Sequence, residues 1–591
     1  MKSFFKFTLA SILGFLITGI ILIFIIISII GGLISSAKDD TVALKSKTIL
    51  TLNLSKGVVE RTSKNPLEDL NFQTLKTESK IGLNEILSNL KRAKNDDKIK
   101  GIYINSSGIN AGIATIEEIR NALIDFKTSG KFIISYSDIY TQGSYYLSSI
   151  SDKIYLNPEG LVEFKGLSSQ LMFYKDALDQ LGVEPIIIRG KNNKFKSAVE
   201  PFMYNHISEA NKLQTLTYLG SIWNHLLKGI SKSRKLSIQQ LNVMADSMLI
   251  NSAQSTVDYN LVDDLKYYDE VLEELKKRSE TNDNDDINFM SISSYSKTPK
   301  TFTGKGLIKE KIAVIYANGQ INMGEGSDKE IGSEGLSKSI RKARLDSSVK
   351  AIVLRVNSPG GSALASEVIW REMVLAKQAK PVIVSMGDVA ASGGYYISAP
   401  ADKIYASPVT ITGSIGVFGI LWNGQNLMNK IGINTDAVNT NLHSDIGSTF
   451  RPMSETEYAV IQKSVESIYE VFIKHVANGR NKTTEAVDSI GQGRVWSGEN
   501  AKKIGLIDEF GGITEAINEA KKLAKLEDYR IIEYPKQADP FEKLMNDFGG
   551  QVKAYVIEDE LGESYKYYNR LNQLRKMNGV QAIIPFVVDI H

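Results

Sequence analysis

From residue 9 to residue 34 the chain is apolar almost without a break, and no later stretch of its 591 residues matches that run. A helix needs roughly 20 apolar residues to cross a bilayer, whereas a cleaved signal peptide has an apolar region of roughly 7–15. The length therefore predicts a retained membrane anchor rather than a signal peptide cut after Ser35, Ser36 and Ala37. Lys2 and Lys6 precede the run and a near-neutral Ala-Lys-Asp-Asp follows it. By the positive-inside rule this single-pass chain keeps its N-terminus in the cytoplasm and its body outside. Past residue 40 the apolar residues fall into short β-branched runs, such as 312–317, 351–356 and 381–386, bounded by Gly, Pro or Asn. Such runs predict strands buried on both faces. Between them apolar positions recur at helical spacing, over 363–378 and 207–234. Strand, helix, strand in succession predicts an α/β fold with parallel sheets and right-handed crossovers.

The pattern is written twice. Residues 137–158, SDIYTQGSYYLSSISDKIYLNP, align with 387–408, GDVAASGGYYISAPADKIYASP. In the same order, 47–59 parallels 310–321, 99–123 parallels 349–373, and 252–265 parallels 497–510. An internal repeat of this length means two copies of one domain. We divide the chain into a cytoplasmic stub and anchor (1–40), a first repeat (41–290), and a second repeat (291–591) with a helical, peripheral tail from about 527. The seam lies in a polar stretch between about 280 and 305, where the segment INFMSISSYS could also form an edge strand.

Composition narrows the chemistry. A formal charge of +3 is nearly neutral for this length, so nucleic acid is not an implied partner. With no cysteine there can be no disulfide, thiolate metal site or cysteine nucleophile. Nor does the sequence offer a His/Asp/Glu cluster with metal-ligand spacing.

In α/β folds ligands meet the carboxyl ends of parallel strands, and two such ends are rich in small residues. One runs through Gly360 and Gly361 into a helix; the other runs through Ser392, Gly393 and Gly394 into another. Glycine lets main-chain N–H groups face a ligand with no Cβ in the way. Ser392 fits an exposed nucleophile at a strand-to-helix turn, and equally a serine that merely caps the next helix. A serine nucleophile needs a base. Of the five histidines only His443, in a polar loop, falls near the plausible site, so a desolvated lysine is the alternative.

The segments RVNSPGGSALAS and GDVAASGGYYISAPADKIYASPVTITGSIGV, with NKFKSAVEPF at 193–202, resemble the signal peptide peptidase A (protease IV) family in its long, double-repeat form. The resemblance implies Clp protease/crotonase-like domains, a nucleophile at Ser392 and a general base at Lys196 rather than the nearby Lys194. It implies an oxyanion hole from the main-chain N–H groups of Gly360, Gly361 and Gly393, with Ser414 a candidate to orient the lysine. It further implies no cofactor, hydrophobic peptide substrates such as released signal peptides, a homotetramer, and a place in the bacterial inner membrane with the catalytic body on the periplasmic side. The repeat offset agrees with this division: Ser392 maps to Gln142, and Lys196 maps near Ile446, where there is no lysine. Two rival readings are a crotonase-like acyl-CoA enzyme and a catalytically silent membrane scaffold. An anchor that faces the body away from cytoplasmic CoA opposes the first, and an intact Ser392 and Lys196 oppose the second.

Overall fold

The computed structural model describes residues 4, 6–8, 10–21, 42–63, 70–71, 76–77, 80–282, 284–299, 308–537 and 579–584. Much of the expected anchor, 9–34, lies outside these residues, and among those described no helix is long and apolar enough to cross a membrane.

Each repeat builds its own parallel sheet. The first has six strands in the order Asp264–Leu265, Lys153–Val162, Phe132–Tyr140, Ile99–Ile104, Thr48–Leu52, Phe289–Ser291, every pair parallel. The second runs Val495–Ser497, Ile411–Gly413, Val382–Ala391, Val349–Ser358, Lys311–Asn318, Arg530–Tyr534, with Lys403–Ala406 and Glu509–Phe510 branching from Val382–Ala391. Only its Val495–Ser497 pairing is antiparallel. Helices cover these sheets and bury the central strands, which is why their sequences read as unbroken apolar runs.

The duplication extends to side-chain bonds. Asp152 Oδ2 accepts from Ile133 N–H and Asp402 Oδ2 from Val382 N–H, both at 2.8 Å. Tyr145 and Tyr395 donate their hydroxyls to Leu261 O and Leu506 O, both at 2.7 Å. The repeated Tyr-Tyr and Asp-Lys-Ile-Tyr motifs are therefore struts between strand ends and helices.

Two boundaries change. The alternating segment after residue 287 is an edge strand, Phe289–Ser291, paired in parallel with Thr48–Leu52 and followed by the helix Ile292–Ser296. Those residues belong to the first sheet, so the seam placed at 290 falls beyond Ser296. The tail is neither wholly helical nor peripheral. Its β-branched segment Arg530–Tyr534 extends the second sheet beside Lys311–Asn318, and Gly579–Ile583 is a strand of a third sheet.

That third sheet joins pieces from distant parts of the chain, in the order Glu330–Gly332, Gln320–Asn322, Gly360–Ser362, Gly579–Ile583, Phe418–Asn423, Glu184–Arg189. Its last pairing is antiparallel, Phe418 facing Arg189 and Asn423 facing Glu184. A first-repeat strand is thereby laid along the second repeat.

Buried charge also ties the repeats together. Arg355 is fully buried and is held by Glu60 (2.8 Å) and Glu118 (2.7 Å) of the first repeat. Asp388, on the strand that leads to Ser392, accepts from Thr115 N–H (2.9 Å) and Thr115 Oγ1–H (2.7 Å). Burial pushes Glu118 up to about 7 from the ordinary 4.5, with Arg355 opposing the shift and Glu60 adding to it. Between those two values the folded state holds a proton that the unfolded state has released, so stability should fall as pH rises from about 4.5 to about 7 and level off above. Denaturant midpoints measured across that window should show a fall in wild type that Glu118→Gln flattens; parallel curves would contradict the assignment.

Candidate active site

The two glycine-rich strand ends meet at one point. Val382–Ala391 ends at Ser392, which is followed by the helix Gly393–Ser398, and Val349–Ser358 leads through Pro359 to Gly360–Ser362 and the helix Ala363–Ala379. Ser392 adopts φ +54° and ψ −113°, a conformation that costs a residue with a Cβ free energy and that clusters at functional turns. Its main chain is pinned on both sides, since its N–H donates to Gly413 O and its carbonyl accepts from Tyr396 N–H, each at 2.8 Å. Its hydroxyl makes no cap bond to the helix, so the capping alternative does not describe it.

The hydroxyl faces Lys196 instead. Lys196 Nζ lies 2.8 Å from Ser392 Oγ, 3.0 Å from Ser414 Oγ and 3.3 Å from Ser414 O. All three residues are fully buried. Burial alone holds the Lys196 amine well below the ordinary lysine value of 10.5. A neutral amine has two N–H groups and one lone pair. Ser414 O and Ser414 Oγ can take the two N–H groups, which leaves the lone pair for the Ser392 hydroxyl proton. Ser414 is the residue whose hydroxyl and carbonyl both face the amine.

Lys196 reaches this point because the strand Glu184–Arg189, paired to Phe418–Asn423, carries the first repeat into the second and ends seven residues short of it. The segment that follows packs Ala198, Val199 and Phe202 against Phe418, Ile420 and Ile583. A turn of the second repeat grips it from the other side. Phe195 N–H donates to Gln492 O (2.9 Å), and the Arg494 guanidinium stands over the rings of Phe195 (4.9 Å) and Trp496 (4.1 Å). Gly493, at φ +80°, comes so close that a Cβ there would sit 2.5 Å from Lys196 Cβ. Gly493 N–H donates to Ile415 O and Ser414 N–H to Arg494 O, both at 2.7 Å, so the turn that abuts Lys196 also fixes Ser414. The sequence reading missed this turn.

The other site residues divide. Gly393 is the first residue of its helix, so its N–H has no intrahelical acceptor. Gly360, at φ +99°, packs on it closely enough that a Cβ would lie 2.7 Å from Gly393 N. The Gly360 N–H, however, donates to Ser358 Oγ (3.2 Å), and Gly361 is paired with Ile321 on one side and Ala582 on the other. Of the three N–H groups read as an oxyanion hole, Gly393 is the one least committed elsewhere. Lys194 is exposed, with its amine 5.4 Å from the Phe195 ring. His443 pairs with Glu457 (3.1 Å) and takes no part in the Lys196–Ser392–Ser414 set.

In the first repeat Gln142 stands where Ser392 stands in the second. Its Oε1 accepts from Lys165 N–H and Gly166 N–H, both at 2.9 Å, and its Nε2–H donates to Gly166 O at 3.0 Å. The amide therefore binds the strand-end loop corresponding to the one that, in the second repeat, receives the lysine.

The serine and the buried amine thus lie side by side near the Gly393 N–H, and the comparisons with known proteins give the family. The model of peptidase family S49 matches this chain twice, at 125–282 and 375–527. Protease 4 of Salmonella typhi is 36% identical over 94% of this chain and 92% of its own length, and Protease 4 of Haemophilus influenzae 35% identical over 83% and 81%. The chloroplastic serine protease SPPA of Arabidopsis thaliana is 31% identical over 85% of this chain and 74% of its own. The chain belongs to peptidase family S49, as a serine protease carrying two copies of the family domain.

Proposed function

We propose that this protease works through a Ser392–Lys196 dyad divided between its two repeats, and that it degrades released signal peptides and other short hydrophobic peptides. The observation that carries the proposal is the 2.8 Å approach of a fully buried, depressed-pKa amine to a strained serine hydroxyl. Lys196 takes the Ser392 proton as Oγ attacks the peptide carbonyl. Gly393 N–H stabilises the oxyanion. The amine returns the proton to the leaving nitrogen, and water, deprotonated by the same amine, hydrolyses the acyl-enzyme.

Extended peptides fit the surroundings. Gly579–Ile583 already lies antiparallel both to Gly360–Ser362 and to Phe418–Asn423, so the wall beside Ser392 is one that takes an added strand through main-chain bonds. The apolar run at 9–34 supports a single-pass anchor in a bacterial inner membrane with the body on the periplasmic side, where such peptides are released. On the family resemblance we also propose a homotetramer.

The test is hydrolysis of a signal peptide and of an activated hydrophobic peptide ester by the full chain in detergent. Wild type should cleave both and accumulate an acyl adduct at Ser392 visible by mass spectrometry. Ser392→Ala should lose both, and cleavage that persists in that variant would sink the proposal.

A further inference from the structure

Each repeat braces the short helix at its strand end in the same way, and the two braces differ at one residue. In the second repeat the Tyr396 hydroxyl donates to Glu367, on the helix that follows the Gly360 turn. His475 Nε2, on the helix Glu455–Arg480, lies 3.0 Å from Glu367 Oε2. Tyr146, Glu117 and His225 repeat this set 250 residues earlier, with His225 Nε2 3.1 Å from Glu117 Oε1.

The difference is Arg120 against Trp370, again 250 residues apart. Arg120 staples the first repeat's short helix to the long helix Glu209–Arg234. It donates to Tyr146 O (3.2 Å) and Ser149 Oγ (3.3 Å) on one side, and to Gly229 O (3.0 Å) and Ser233 Oγ (2.8 Å) on the other. Trp370 offers none of this, and its buried Nε1–H has no partner. It stacks instead on His475, with ring centroids 3.4 Å apart and planes 18° from parallel, while His475 meets the Tyr396 ring edge-on at 5.5 Å. An unsatisfied buried donor is costly, and the stack is what that cost maintains. Arg120 also stands over the Tyr146 ring, 4.6 Å from its centroid, so in the first repeat the tyrosine is held by a cation–π contact and by its carbonyl. The stack acts, through Glu367, on Tyr396, one turn from Ser392 and on the same helical face.

We propose that Trp370 and His475, through Glu367 and Tyr396, are positioning residues for Ser392, and that the catalytic repeat exchanged an arginine staple for this stack to hold the nucleophile's own turn. This rests on Ser392 being the nucleophile. The full chain in detergent is assayed on the peptide ester, with melting temperatures measured alongside. Trp370→Ala and Tyr396→Phe should lower kcat by about 10-fold, leaving KM within about twofold, because a misaimed nucleophile loses rate rather than substrate binding. Trp370→Phe keeps a flat ring on His475 and should recover most of the rate. Arg120→Ala and Tyr146→Phe, the counterparts in the other repeat, should lower the melting temperature without that loss of kcat. If the second-repeat variants keep wild-type kcat, or the counterparts lose it equally, the inference is overturned while the nucleophile assignment stands. If Ser392→Ala remains active, both fall.

Discussion

Lys196→Met should abolish hydrolysis and make the protein harder to unfold. The methionine side chain fills nearly the same volume, but its thioether is far too weakly basic to take the Ser392 proton. Loss of a general base costs about 10²–10⁴-fold in kcat. The gain in stability has a separate origin. Burial lowers the folded-state pKa of Lys196 well below 10.5, so over the range between the two values the unfolded chain holds a proton that the folded chain lacks. That imbalance makes wild-type stability rise with pH up to about 10.5 and lowers it at neutral pH. In Lys196→Met this contribution disappears, so its denaturant midpoint should exceed that of wild type at pH 7 and converge towards it in alkali. In wild type kcat/KM should climb with pH on a limb set below the ordinary lysine value. An unchanged midpoint together with lost activity would mean that the amine is not desolvated as the structure places it.

Gly493→Ala should cripple the enzyme while leaving both members of the proposed dyad unsubstituted. The new methyl carbon would lie 2.5 Å from Lys196 Cβ, 2.6 Å from its Cα and 2.7 Å from its main-chain nitrogen. No rotamer change can relieve contacts with backbone atoms. An L-residue at φ +80° adds about 1–2 kcal/mol of local strain. The chain must therefore move Lys196 away from Ser392, and a shift of about 1 Å at a reacting centre costs about 10²-fold. The expected result is a loss of that order in kcat with a modest fall in melting temperature. Full activity in Gly493→Ala would show that the turn does not set the lysine's position.

That Ser392 and Lys196 come together was legible in the sequence because the chain carries its own comparison: each copy lacks one of the two groups, and the family motifs fall on both. The parallel sheets were legible for a local reason, since strands buried on both faces have no polar alternation. The third sheet was not. Its pairing of Phe418–Asn423 with Glu184–Arg189, and of Gly360–Ser362 with Gly579–Ile583, joins residues hundreds of positions apart, and periodicity carries no information about partners. Gly493 was hidden for the same reason, because its close approach to Lys196 is a tertiary fact. The His-Glu-Tyr braces could have been found. His225 and His475 share the 250-residue offset of Tyr146 and Tyr396, a pairing visible only when the histidines are compared across the repeats. The edge strand Phe289–Ser291 falls on the segment expected to be able to form one, within the seam range of about 280–305, whereas the tail was read as helical because its β-branched segment Arg530–Tyr534 belongs to the edge of a sheet whose centre lies far away in the chain.

The strand Glu184–Arg189 reaches out of one repeat to lie on the other, and with the proposed dyad this would make the enzyme its own safeguard during synthesis. The ribosome releases the first repeat with a lysine and no nucleophile, and the second repeat later supplies a nucleophile with no base. Neither half can cut the unfolded chains around it. Hydrolysis begins only when Phe418–Asn423 has formed and captured that strand, at the end of assembly. A protease that arms itself by completing its fold achieves the latency that others obtain from a removable pro-segment.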